Sequence, residues 1–102
     1  MGEGINGIRA LVVGLEKSGQ ASAALLARQG ARVRATDLKP LDELPEACAL
    51  LKRLGIPFAR QSEADFEWPE LVVLSPGVPA DLAPLQAARA RGARVIGEVE
   101  LA

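Results

Sequence analysis

Two short runs, LVVG at 11–14 and LVVL at 71–74, are apolar at nearly every position rather than at alternate ones. Unbroken β-branched runs of that length mark strands buried on both faces of a parallel sheet. A second pattern recurs three times: a segment with helical spacing ends in glycine and a strand follows at once. The copies are LLARQGARVRATD (25–37), LLKRLGIPFARQS (50–62) and AARARGARVIGEV (87–99). Glycine in the left-handed conformation stops a helix, so each copy reads as one helix–strand unit. The unequal segments between them argue against a solenoid.

The pattern predicts strands at 10–13, 32–36, 57–59, 71–74 and 94–96, and helices at about 18–29, 45–54 and 84–91. Pro45 and Pro84 fall where a first helical turn tolerates proline. On the first helix, Ala21, Ala24 and Leu25 form the expected packing face, small enough to lie close to a sheet. The second presents Leu44, Cys48, Leu51 and either Leu50 or Leu54, which makes Cys48 a small buried hydrophobe rather than a reactive thiol. The expected fold is α/β: one Rossmann-like three-layer domain over 1–102 with a five-stranded parallel sheet.

Composition narrows the function. The 102 residues suffice for one compact domain, and 12 Lys and Arg against 13 Asp and Glu leave it nearly neutral. That balance opposes broad electrostatic binding to nucleic acid or anionic membranes. Three aromatics, Phe58, Phe66 and Trp68, are too few for stacking platforms on single strands. Histidine is absent, which removes the commonest general base and metal ligand. A single cysteine, no secretory h-region and no apolar run of bilayer length predict a cytoplasmic setting.

Three segments would meet at the carboxyl ends of the strands, where open α/β sheets bind ligands. In LVVGLEKSGQAS (11–22), Gly14 suits the tight turn and Gly19 close helix–sheet packing, but the second glycine of G-x-G-x-x-G is replaced by Glu16. A bulky anion there penalises the NAD pose and leaves a phosphate site displaced toward Lys17 and Ser18. The alternative is a plain strand-to-helix turn with Ser18 as N-cap. Asp37 closes the second strand about 20 residues past the turn, where an acid commonly recognises a nucleoside; otherwise it is a solvated loop acid or a cap. In LSPGVP (74–79), Ser75 supplies a hydroxyl and Gly77 an amide that can approach a ligand closely, unless the loop merely reverses the chain. Gln20 follows Gly19, so the turn cannot act as a P-loop on ATP. No Cys/His metal cluster and no nucleophile–His pair is present. Glu98 and Glu100, on alternate positions after the last strand, read as solvated loop or helix-start residues.

Taken together, VVGLEKSGQASAALLARQGARVRATD, LSPGVP and VIGEVEL resemble the amino-terminal domain of the Mur ligases over essentially the whole chain. Within that family the match is to the branch that joins D-glutamate to UDP-N-acetylmuramoyl-L-alanine. The resemblance implies a cytoplasmic three-domain enzyme of peptidoglycan synthesis that uses ATP and Mg²⁺ in its central domain to form an acyl phosphate. This fragment would then be inactive alone, hold the UDP moiety with no cofactor of its own, and pack on the central domain, with GEVELA leading toward it. By position, Lys17 and Ser18 would contact the diphosphate with the Gly77 amide, Ser75 nearby. Asp37 would accept from the uracil imide, Leu38 would offer backbone contacts, and Lys39 would lie against the base. Family members often carry glycine or alanine at position 16 and some arginine at 39, and lysine cannot stack as a guanidinium does. The competing expectation is an NAD-binding regulatory or dehydrogenase module, disfavoured by Glu16.

Overall fold

The computed structural model describes residues 6–79 and 81–97; GEVELA beyond Gly97, with Glu98 and Glu100, lies outside them. The chain runs β1 (Arg9–Val13), α1 (Lys17–Arg28), β2 (Arg32–Asp37), α2 (Pro45–Leu54), β3 (Phe58–Arg60), β4 (Leu71–Leu74), α3 (Ala83–Ala90) and β5 (Arg94–Gly97). Short 3-10 turns at Leu41–Glu43 and Glu63–Glu67 interrupt the connections. The second is closed at its start by a Ser62–Asp65 capping box, with Asp65 Oδ2 accepting the Ser62 N–H at 2.8 Å.

Among the described residues the five strands form one parallel sheet in the order β3-β2-β1-β4-β5. Central β1 and β4 send alternate side chains to opposite layers. Ala10, Val12, Leu71 and Val73 join Ala23 and Leu26 of α1 and Ala47 and Leu51 of α2 in one core. Leu11, Val13, Val72 and Leu74 meet Phe66 and Leu85 of α3 in the other. Continuous apolar runs were required because neither face of these strands meets water.

The three helix–glycine–strand units close in one way. Ala31, Ile56 and Ala93 donate their N–H to the carbonyls of Leu26, Leu51 and Ala88, at 3.1, 2.9 and 3.0 Å. Each bond spans a left-handed glycine, Gly30, Gly55 or Gly92. This is the Schellman arrangement, in which the residue after the glycine packs back on the apolar residue whose carbonyl it binds. It turns every helix directly into the next strand.

Two packing faces differ from the sequence pattern. On α1 the buried positions are Gly19, Ser22, Ala23 and Leu26, whereas Ala21 is exposed and Ala24 and Leu25 are half-buried. The face is rotated because Gly19 must abut the glycine turn, and its register at i+3, i+4 and i+7 follows. On α2, Ala47 rather than Cys48 completes the stripe with Leu44 and Leu51; Cys48 is half-buried, and Leu54 rather than Leu50 packs on the core. One strand is shifted: β3 is Phe58–Arg60, a residue later than expected, because Pro57 has no N–H and contributes only its carbonyl to Ala35.

Candidate functional site

The chain extends the sheet from β1 to β3 on one side and then returns to lay β4 and β5 on the other, which puts the topological switch point between β1 and β4. A cleft of about 630 Å³ lies at the carboxyl ends of these strands. Ligand sites usually span about 300–1,000 Å³. Its wall is built in strand order, with Gln61 after β3, Asp37 and Leu38 after β2, Gly14, Glu16 and Ser18 after β1, and Ser75 to Pro79 after β4. Four strand ends at 4.7–4.9 Å spacing make it roughly 14 Å long.

The glycine turn after β1 is held on three sides. Gly14 donates its N–H to Thr36 O at 2.9 Å and accepts the Ser75 hydroxyl at 3.0 Å. Its φ is +94°, and a Cβ on it would stand 2.8 Å from the Ser75 side chain, so the position excludes other residues. A Cβ on Gly19 would fall on the Gly14 carbonyl, which is what brings the start of α1 against the strand end. Gln20 folds back to the Leu15 carbonyl at 3.2 Å.

Helix α1 begins at Lys17 with Glu16 as its N-cap, and no side chain caps it. Ser18 is therefore inside the first turn, and the N-cap alternative for it does not hold. Of that uncapped first turn Ser18 lines the cleft, and a helix start favours an anion. Glu16 stands exposed on the same wall, at the sequence position that the dinucleotide fingerprint reserves for its second glycine.

Asp37 is 9% exposed, and both its carboxylate oxygens accept backbone donors: Oδ2 from Leu15 N–H at 2.7 Å, Oδ1 from Lys39 N–H at 2.9 Å. Charge-assisted bonds of this kind fix the carboxylate at the cleft wall and leave lone pairs for a further donor. Leu38 is 69% exposed, the large apolar side chain left uncovered among the described residues. Its carbonyl accepts Arg60 Nε at 2.9 Å, so the backbone contact expected of Leu38 is already used in part and its side chain is what the cleft offers.

In the loop after β4, Val78 N–H closes a turn on Ser75 O at 3.0 Å with Pro76 and Gly77 at its centre. Gly77 has no left-handed φ and nothing within 4 Å of a Cβ position, so it leaves open space rather than serving the turn. Of the residues singled out from sequence, Ser18, Asp37, Leu38, Ser75 and Gly77 converge on the cleft. Lys17 and Lys39 are exposed beside it and do not line it. Gln61, Val78 and Leu82 were missed as lining residues. Val78 lies within LSPGVP but offers only an apolar side chain, Leu82 belongs to no motif, and Gln61 was hidden by the one-residue shift of β3.

Fold, strand order and cleft define a Rossmann-like α/β domain with its main cleft at the switch point. The chain belongs to the Mur ligases: a sequence model described as "Mur ligase MurD-like, N-terminal domain" matches residues 8–97. It is 63% identical over 98 residues to a UDP-N-acetylmuramoylalanine–D-glutamate ligase of Solibacter usitatus, covering 96% of this chain and 21% of that protein. Its identity to the same-named ligase of Geobacter metallireducens is 47% over 100 residues, covering 96% of this chain and 22% of the relative. The chain thus spans about a fifth of the length of these relatives. Its fold is shared with UDP-N-acetylmuramate-alanine ligase MurC from Thermotoga maritima (TM-score 0.71, 23% identity, covering 92% of this chain and 21% of that one). It is shared also with D-lactate dehydrogenase from Escherichia coli (TM-score 0.66, 23% identity, covering 90% of this chain and 28% of that one).

Proposed function

We propose that the cleft holds the uridine diphosphate end of UDP-N-acetylmuramoyl-L-alanine, and that the chain is the substrate-holding amino-terminal domain of a D-glutamate-adding ligase. The observation that carries this is Asp37, a buried carboxylate fixed by two backbone amides at one end of a cleft whose middle is an uncapped helix start. An acceptor fixed in that way suits the imide N–H of uracil, and the helix start suits the diphosphate. The names of the relatives support the choice of substrate.

Ser18 and the Gly77 amide take the phosphates from opposite walls, with the Lys17 ammonium beside them. Ser75 already spends its proton on the Gly14 carbonyl, so it shapes the site rather than donating to the ligand. Lys39 reaches over the base from the rim. Glu16 is compatible because the diphosphate lies toward Ser18 and Gly77.

In this reading the cleft takes neither ATP nor Mg²⁺. The turn lacks the lysine of a P-loop, and the described residues contain no group of three His, Cys, Asp or Glu able to hold a metal ion. Both belong, in this reading, to the remainder of a full-length ligase in the cytoplasm. The chain alone holds substrate and performs no ligation.

The test is an amide-NMR titration of the chain with UDP-N-acetylmuramoyl-L-alanine, with NAD in parallel. Saturable shifts at Ser18, Asp37 and Gly77 with the UDP compound alone are the expected result. Shifts with NAD instead would return the chain to the dehydrogenase-like class.

A further inference from the structure

The geometry points to Gln61 as a specificity-determining residue that reads the edge of the nucleobase beside Asp37. The inference rests on the uridine diphosphate reading of the cleft and extends it to a residue outside the three glycine and acid motifs.

Gln61 follows β3 directly, and its N–H donates to the carbonyl of Asp37 at 2.9 Å, continuing the parallel ladder in which Asp37 pairs with Arg60. The backbone places it at the end of the cleft beyond Asp37, farthest from the uncapped helix start. Next to it, Arg60 Nε holds the Leu38 carbonyl at 2.9 Å and keeps the two strand ends together. The Gln61 side chain is half-buried, lines the cleft and makes no hydrogen bond to the described residues. A half-buried amide with unused donors, beside a fixed carboxylate and the exposed Leu38 side chain, forms the polar half of a base subsite whose apolar half is Leu38.

The chemistry fits uracil. Its edge presents a carbonyl oxygen, an N–H and a second carbonyl oxygen. Asp37 accepts the central N–H, and the Gln61 NH₂ donates to O4, the flanking oxygen on the side away from the ribose-bearing nitrogen. Cytosine presents an amine where uracil has that oxygen, and an acceptor where uracil has N–H, so it meets Asp37 unfavourably. Gln61 therefore adds affinity for uracil that cytosine does not share.

The experiment measures dissociation constants of UDP, CDP and inorganic pyrophosphate for the wild-type chain and the Gln61→Ala, Gln61→Glu and Asp37→Asn variants. Gln61→Ala is expected to weaken UDP roughly three- to tenfold, the range of one hydrogen bond. Pyrophosphate, which has no base, should be unaffected. Gln61→Glu places an acceptor against the uracil oxygen and should lower the UDP-to-CDP preference further. Both variants should keep the wild-type circular dichroism, since the side chain holds nothing in the fold. Unchanged UDP affinity and UDP-to-CDP ratio in both would overturn the role of Gln61. Failure of the underlying reading looks different: no saturable UDP binding by the wild-type chain, or UDP binding indifferent to Asp37→Asn, and either removes the inference as well.

Discussion

The carboxylate of Asp37 accepts the backbone N–H of Leu15 at 2.7 Å, joining positions 22 residues apart. Through this bond the acid at the end of β2 fastens the glycine turn at the end of β1, while Lys39 N–H holds its other oxygen. The residue that would recognise the base is thus also the one that shapes the phosphate end.

Asp37→Asn should damage both tasks. An amide has one acceptor atom, so either the Leu15 or the Lys39 N–H is left facing an NH₂ group. A buried donor without an acceptor costs about 1–3 kcal/mol, or roughly 4–8 °C of melting temperature per kcal/mol in a domain of this size. Thermal denaturation measures it, and an unchanged midpoint would show that the carboxylate does not hold the turn.

Gly19 and Gly77 separate a packing glycine from an approach glycine. Gly19→Ala drives its methyl into the Gly14 carbonyl and should destabilise the chain by about 1–3 kcal/mol or more. Gly77→Ala has free space and an ordinary φ, so stability should stay within about 0.5 kcal/mol. Its methyl would nevertheless stand where the diphosphate approaches, so UDP binding should weaken while the melting curve does not move. Equal loss of stability in the two variants would contradict this division.

The register of α1 is checked by enlarging neighbours. Ala23 is fully buried, so Ala23→Leu should overpack the core at about 1–3 kcal/mol. Ala21 faces solvent, and Ala21→Leu should change stability by no more than about 0.5 kcal/mol. The reverse ranking in urea denaturation would restore the helix face read from spacing alone.

Glu16→Gly tests the account of the altered fingerprint. The side chain caps nothing and projects from the cleft wall, so its removal should shift UDP affinity by no more than about twofold, some 0.4 kcal/mol. NAD binding should rise from its wild-type level, because the wall then admits a second phosphate beside the turn. If UDP binding fell instead, the diphosphate would have to lie against position 16.

The α/β class was legible in LVVG and LVVL because a strand buried on both faces must be apolar throughout, a local requirement written into consecutive residues. The helix ends at Gly30, Gly55 and Gly92 were legible for a like reason: the Schellman closure needs a left-handed residue with an apolar one after it. Ser18, Asp37, Ser75 and Gly77 could be picked out because a cleft at strand ends draws on the residues at and after those ends, whereas Leu38 came in through the family resemblance.

The rest depended on contacts between distant segments. Gly19 is legible as a packing glycine, but its contact with the carbonyl of a Gly14 held in place by Thr36 and Ser75 is what turns α1 and sends Ala21 to solvent in place of Ala23. Pro57, which has no N–H, signals locally that β3 starts late, but only the pairing of β3 with β2, down to Gln61 N–H on the Asp37 carbonyl, carries Gln61 into the cleft beside Asp37. Side-chain period and turn chemistry act over a few residues and are written where they act. Strand register and helix rotation are chosen by whichever packing of the whole sheet leaves no clash and no unpaired backbone group.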